Sequence, residues 1–403
     1  MSYRRNIPRM YVFQALISFQ LWTPVWVVFL QERGLTLGQL GLLDAIAWLL
    51  IAAAEVPTGV VADTRGRKTS LLVGAAFHGI GVFGLLSEVL SPVFLIGYFM
   101  WGLSMTFWSG ANDALVYDSL RADGLEATFV RVDARWALVA QASGMAAGLG
   151  GSLVAAIDLR LAFIITAAAC LLAIGVGLTL REPPRFTEDS GQPGYRANLR
   201  RGVHIAVARP RVRYLVLLGA VVLLFPMLLS ISMFQPYARE VGIPVWALGL
   251  VFLGMRGASM LGSLLAPIAA ARVRRERLLV AGPLLMAGLL GLLGLLASRP
   301  AVLLLAAIMV VTYTVRPTLS AMLNDSIPSE QRATIISLQS LLFTLVLAGV
   351  QPALYAIGGR TSMGLALGLA GVLMAVMVAP ILILLLRVPQ SSGEAVDLPA
   401  TSD

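Results

Sequence analysis

Apolar runs of nearly membrane-spanning length alternate with short polar segments along most of this chain. They occupy residues 10–30, 39–61, 70–90, 93–120, 134–156, 160–180, 213–237, 245–270, 278–298, 301–323, 334–356 and 363–386. About 20 apolar residues in a row are enough for a helix to cross the hydrocarbon of a bilayer. The pattern therefore predicts an all-α polytopic membrane protein with twelve transmembrane helices. One polar connection is long: 181–212, rich in Pro and Arg, separates a six-helix half at 1–180 from a second at 213–386. Within it, Leu199, Val203 and Ala206 or Val207 recur at helical spacing among Arg196, Arg200, Arg201 and Arg209. That spacing predicts an amphipathic surface helix, with a disordered basic linker as the alternative. Residues 387–403 carry no apolar period and read as a disordered tail.

Charge fixes the orientation. With the N-terminus in the cytoplasm, 23 of the 30 basic residues fall in cytoplasmic segments. Arg33, Arg160, Arg239, Arg299 and Arg360 fall outside, and Arg256 and Arg316 fall within spans. Positive charge is retained on the inner face, so both termini and the linker are expected in the cytoplasm of a cell (inner) membrane. The net charge of +9 is then topology, not a nucleic-acid footprint. The chain is 58% hydrophobic and 13% charged, outside the range of ordinary soluble domains. A lone Cys170 and two distant histidines, His78 and His204, offer no disulfide and no metal-ligand cluster, and no cofactor is implied.

The most informative polar stretch lies between the second and third runs: Gly59-Val60-Val61-Ala62-Asp63-Thr64-Arg65-Gly66-Arg67-Lys68. Its charges must sit at a water interface, because burial in hydrocarbon is costly. As residues alone it can be a solvated loop. It also resembles motif A of the major facilitator superfamily, Gly-x-x-x-Asp-Arg-x-Gly-Arg-Arg/Lys, which Gly59, Asp63, Gly66, Arg67 and Lys68 match. Thr64 stands where the family usually has Arg, and Arg65 follows it. The resemblance extends over the chain in helix count and loop plan, with a general likeness to the drug-exporter branch. It implies two parallel six-helix halves. It also implies an inner latch in which Arg67 pairs with Asp118 and Asp63 lies near the start of helix 11, about Arg332 to Thr334. Gly144, Gly148, Gly150 and Gly151 allow close helix packing. They partly resemble the family's antiporter motif, but without its Pro.

Ionisable residues within spans are functional candidates by default. Asp44 and Glu55 share a face of span 2 with Trp48 and Gly59. Thr106, Ser109, Asp113 and Tyr117 form a polar stripe on span 4. Gln14 and Trp22 on span 1, Arg256 on span 8, and Tyr313 and Arg316 on span 10 complete a polar set expected to line a central substrate cavity. Asp113 is the first choice for a proton-carrying acid, ahead of Asp44 and Glu55. For the arginines, acid pairing that merely holds the bundle together is the alternative. His78 reads as a hydrogen-bonded packing residue.

The leading function is a secondary active transporter that moves a small, amphipathic organic molecule by alternating access, with proton-coupled export favoured. The expected partners are its substrate, protons and membrane lipid, with the protein a monomer. A proton-coupled lipid or glycolipid flippase of the same fold is the alternative. No phosphate-cradling Gly-x-x-x-x-Gly-Lys-Ser/Thr motif is present, which argues against a built-in ATP motor. No nucleophile–base pair or acid/base cluster supports an enzyme. A non-transporting receptor is the remaining class.

Overall fold

The computed structural model describes residues 3–184, 195–328 and 331–388. Apart from its first two residues, the tail expected at 387–403 lies outside the described residues. The first half comprises α1 (Asn6–Ser18), α2 (Trp26–Glu32), α3 (Leu37–Arg65), α4 (Arg67–Gly84), α5 (Pro92–Trp108), α6 (Ala111–Arg121), α7 (Phe129–Ala155) and α8 (Leu159–Leu178). The linker holds α9 (Tyr195–Ala208), a helix as expected, but it buries Ile205 and Ala206 and leaves Val203 and Val207 exposed. The second half comprises α10 (Pro210–Leu228), α11 (Phe234–Glu240), α12 (Val245–Arg272), α13 (Arg275–Leu296), α14 (Leu303–Asp325), α15 (Arg332–Arg360) and α16 (Met363–Arg387).

Ten helical segments among the described residues are long and apolar enough to cross a membrane. Two expected spans are helical but fall short of that test. Span 3 is α4, only 18 residues long and opening on Arg67 and Lys68. Span 1 is broken between Ser18 and Trp26 into α1 and α2. Pro24, which has no N–H to donate, sits in that break. Gln235 of the second half bridges it: its amide donates to Thr23 O at 2.9 Å, and its Oε1 accepts from Val27 N at 2.9 Å. Polar backbone at membrane depth needs such a protein partner.

Span 4 is also broken, at Ser109 and Gly110. Gly110 has φ +73°, which a side-chain-bearing residue rarely adopts, so the chain turns there and restarts as α6. Span 7 carries a π-helical turn over Leu229–Met233, immediately after Pro226. The proline removes a helical hydrogen bond, and the extra residue absorbs the mismatch.

The halves meet along α3 with α15, α7 with α12, and α2 with α11. Glycines make these approaches possible. A Cβ on Gly41 would stand 2.8 Å from Pro352 Cα, and one on Gly249 2.5 Å from Gly148 O. On Gly151 it would collide with the Leu21 carbonyl; Gly148 and Gly151 are thus closely packed as expected, whereas Gly150 has nothing within 4 Å and Gly144 only ordinary contact. These contacts lie toward the end that bears Arg33. Toward the other ends of the same helices, residues 49–57 of α3 and 336–346 of α15 include no buried residue. The bundle is thus sealed at the Arg33 end and splayed at the Asp63 end.

Helix ends at the sealed face are tied by charge. Arg33 donates to Leu85 O at 2.6 Å and Leu86 O at 3.1 Å, just past the C-terminus of α4. Glu240 accepts from Gly364 N at 3.1 Å at the start of α16. Each charge has the sign its helix end favours. The seal itself can be tested. Gly41→Val should force α3 and α15 apart and expose a cysteine placed at Ser232, which is fully buried. Labelling from the Arg33 side, in a Cys170→Ala background, is expected to rise several-fold. Unchanged labelling would show that this contact does not hold the end closed.

Candidate functional site

A cavity of about 380 Å³ opens within the second half. Its walls come from α10, α12, α14 and α15. Arg256 and Ser259 project from α12, Tyr313 and Arg316 from α14, and Ser230 from the π turn. Phe252, Met227, Met255 and Phe343 supply apolar wall. Pro226 and Pro317 interrupt the helical hydrogen bonding of α10 and α14 beside it. A second cavity of about 220 Å³ reaches across to the first half, lined by Ser18, Gln20, Thr23 and Gln141 together with Phe252 and Arg256. Arg256 and Phe252 therefore belong to both. The guanidinium carbons of Arg256 and Arg316 lie 5.0 Å and 6.0 Å from the ring centres of Phe252 and Tyr313. Among the described residues neither arginine pairs with an acid, so the pairing alternative finds no partner here.

Of the expected cavity residues, Arg256, Tyr313 and Arg316 come together. Gln14 lies one turn from the second cavity and donates to Ser18 Oγ at 2.9 Å. Trp22 is buried at 2% exposure against Trp26, Trp101, His78 and Phe163, within the seal. Ser109 sits at the break of span 4. Neither Trp22 nor Ser109 is on the wall of either cavity. His78 Nδ1 lies 3.1 Å from Ser104 Oγ in a fully buried site, a packing residue as expected.

The three membrane acids part company. Asp113, in the first turn of α6, and Glu55, on α3, are exposed toward the splayed end. Asp44 is buried at 4% exposure. Tyr98 OH of α5 donates to its Oδ1, and Gln351 Nε2 of α15 donates to its Oδ2. One carboxyl thus joins α3 and α5 of the first half to α15 of the second. It also borders a void of about 10 Å³ shared with Trp48, Trp101, Ser232 and Met227. Met227 lines the main cavity as well, so Asp44 lies directly beyond the cavity floor. Its distance in sequence from Tyr98 and Gln351 hides this cluster.

The polar stretch between α3 and α4 is built as a corner. Gly59 lies within α3, Asp63 and Arg65 are exposed at its end, and Gly66 turns the chain with φ +106°. Arg67 and Lys68 begin α4. The Arg67 guanidinium forms an ion pair with Asp118 of α6 and donates to Ala114 O at 2.8 Å. Lys68 Nζ donates to Leu178 O at 2.7 Å. Glu182, which nothing in the sequence singles out, caps the α4 N-terminus: Oε1 accepts from Arg67 N at 2.7 Å and Oε2 from Lys68 N at 2.8 Å. A carboxylate is favourable there because the first N–H groups of a helix have no internal partner. A Cβ on Gly66 would stand 2.9 Å from the Glu182 carboxyl carbon.

In the second half, Arg275 at the start of α13 meets Asp325 at the end of α14 at 3.0 Å. It occupies the place of Arg67 and Asp118 six spans later.

A family model for the Major Facilitator Superfamily matches residues 10–350. The fold is similar to that of a bacterial homolog of the human lysosomal transporter Spinster, in an inward-facing and unoccupied conformation. That likeness has 17% identity, covers 95% of this chain and 97% of the other, and has a TM-score of 0.73. The nucleoside transporter NupG is similar at 14% identity over 95% of this chain and 100% of its own, with a TM-score of 0.73. An auto-inhibited peptide transporter of the POT family is similar at 14% identity over 96% and 98%, with a TM-score of 0.74. No curated protein matches this chain in sequence.

Proposed function

Because this chain belongs to the Major Facilitator Superfamily, a family of transporters rather than enzymes, we propose that it exports a small amphipathic organic molecule in exchange for protons, by alternating access. The observation that carries this reading is the pairing of an open cavity with a sealed end. The cavity lies in the second half, and the seal beyond it is made of cross-half contacts. Rocking of one half against the other would open the seal and close the splayed end around the same site. The apolar wall of Phe252, Met227, Met255 and Phe343 suits an amphipathic cargo. The protein acts as a monomer, with its cavity enclosed by one chain.

We assign the coupling proton to Asp44, ahead of Asp113 and Glu55. Asp44 is the buried acid of the three and bonds across the seal. Opening the seal separates α3 from α15 and therefore breaks the Asp44–Gln351 contact. A buried charge without a cation is costly, so the proton on this carboxyl and the state of the seal are linked. Reconstituted protein with an imposed pH gradient tests the function. Cargo should accumulate against its own gradient, and dissipating the pH gradient should collapse that accumulation. Equal distribution with and without the gradient would remove proton coupling.

The splayed end is assigned to the cytoplasm, with both termini inside. A cysteine at Pro184 should be labelled by an impermeant reagent only after the cell is opened, and one at Arg239 from outside intact cells. The reverse pattern would invert the topology and with it the direction of transport.

A further inference from the structure

We infer that the cargo carries an anionic headgroup, a carboxylate or a phosphate-type group, held between Arg256 and Arg316. This rests on the transporter reading above and narrows the substrate class. The two guanidinium groups face one cavity, and no carboxylate lines that cavity or the one adjoining it. Among the described residues neither arginine has an acidic partner. Positive charge held within a membrane bundle normally pairs with another group or lines a solute pathway. Here the walls of the two cavities hold two positive charges and no negative one. An anion is the missing counter-charge.

The surroundings define the rest of the molecule. Each guanidinium lies over an aromatic ring, Phe252 or Tyr313. The ring faces hold the planar groups in place while their N–H edges stay available. A guanidinium edge matches two oxygens of a carboxylate or phosphate. Beyond the arginines, Leu223, Met227, Met255 and Phe343 fit an apolar or aromatic body, and Ser230, Thr312, Gln339 and Ser340 add polar contacts. A volume of about 380 Å³ accommodates a small molecule and falls at the lower end of ordinary ligand cavities. Arg256 also borders the cavity that reaches the first half, so an anion bound there bridges both halves.

The test uses full-length protein in detergent and in liposomes, with three probes that share one body: 3-phenylpropionate, 3-phenylpropionamide and 3-phenylpropylamine. Phenylphosphonate serves as the phosphate-type probe. Binding is read by thermal shift and calorimetry, transport by counterflow. The two anions should bind at least about tenfold tighter than the amide or the amine, as expected for a charge-assisted bidentate contact. R256Q and R316Q should each remove most of that preference, and R256Q/R316Q should abolish it. R256K and R316K, which keep the charge, should bind better than the Gln variants and establish that the site still folds.

Equal binding of amide and carboxylate, preference for the amine, or an unchanged double variant would each overturn the anion assignment. Transport of the amide or amine without the anions would overturn it while the transporter reading stood. Anion binding with no flux of any probe would do the opposite. NBD-labelled phosphatidylglycerol, with phosphatidylcholine as control, separates the two sources of anion. Arginine-dependent flipping of the anionic lipid without binding of the soluble anions keeps the headgroup assignment and makes the cargo a lipid.

Discussion

Asp44→Asn is expected to abolish accumulation of cargo against its gradient while leaving counterflow and binding measurable. Asn keeps the shape of the side chain and can still meet Tyr98 and Gln351, but it cannot take up or release a proton. With one proton exchanged per cargo molecule, each unit of pH imposed supports about a tenfold concentration ratio, because one unit is worth ~1.4 kcal/mol. The variant should lose that factor and equilibrate cargo across the liposome. Tyr98→Phe removes one of the two donors to the carboxyl and should weaken accumulation less. Asp113→Asn and Glu55→Gln provide the comparison. Both side chains are exposed toward the splayed end and bridge nothing across the seal. Should Asp113→Asn lose accumulation while Asp44→Asn keeps it, the coupling acid is Asp113, as the polar stripe of span 4 implies in sequence.

Arg67→Ala should cut transport severely in protein that still inserts and folds. Arg67 and Asp118 are partly and largely buried, at 25% and 8% side-chain exposure. Removing the arginine leaves Asp118 facing protein without its counter-charge. That costs about 1–3 kcal/mol, between the values for exposed and fully buried pairs. Such a change shifts a two-state equilibrium by about five- to 150-fold. If the penalty is the uncompensated charge, Arg67→Ala with Asp118→Asn should recover part of the loss. Failure of the double variant to recover would place the effect in the Arg67–Ala114 backbone contact instead. Wild-type transport in Arg67→Ala at matched protein amount would remove the corner from the mechanism.

Arg67 on α4 and Asp118 on α6 belong to the same half, and the pair is intact although that end of the bundle is splayed. We propose that it acts as a strut that fixes α4, α6 and the α3–α4 corner as one body, assisted by Glu182. We propose that Asp63, exposed at the end of α3, acts across the halves at the start of α15, as the resemblance implies. Asp63→Asn is therefore expected to bias the equilibrium between states, whereas Arg67→Ala loosens the body that moves.

Spans, halves and the corner at Gly59 to Lys68 were legible in the chain because local composition determines them. A 20-residue apolar run has few options in a bilayer other than a helix, since every backbone polar group must be satisfied within the segment. Gly66 stands at the turn, where the φ it adopts favours glycine. Arg256, Tyr313 and Arg316 were legible as cavity candidates because a charge in an apolar run needs a reason to be there.

Tertiary structure decided what local pattern does not encode. The breaks in spans 1 and 4 lie at Pro24 and Gly110, residues that many unbroken membrane helices tolerate. Span 1 stays open because Gln235, more than 200 residues away, satisfies the backbone there. Glu182 became a helix cap only when α8 delivered it to Gly66. Asp44 and Asp113 look alike in sequence, each an acid on an apolar helix. Packing of α3 against α5 and α15 buries the first, while the second faces the splayed end. A side chain's chemistry is set by its own atoms, but its burial and partners come from other helices, and those contacts bury Asp44 between the halves and leave Asp113 exposed.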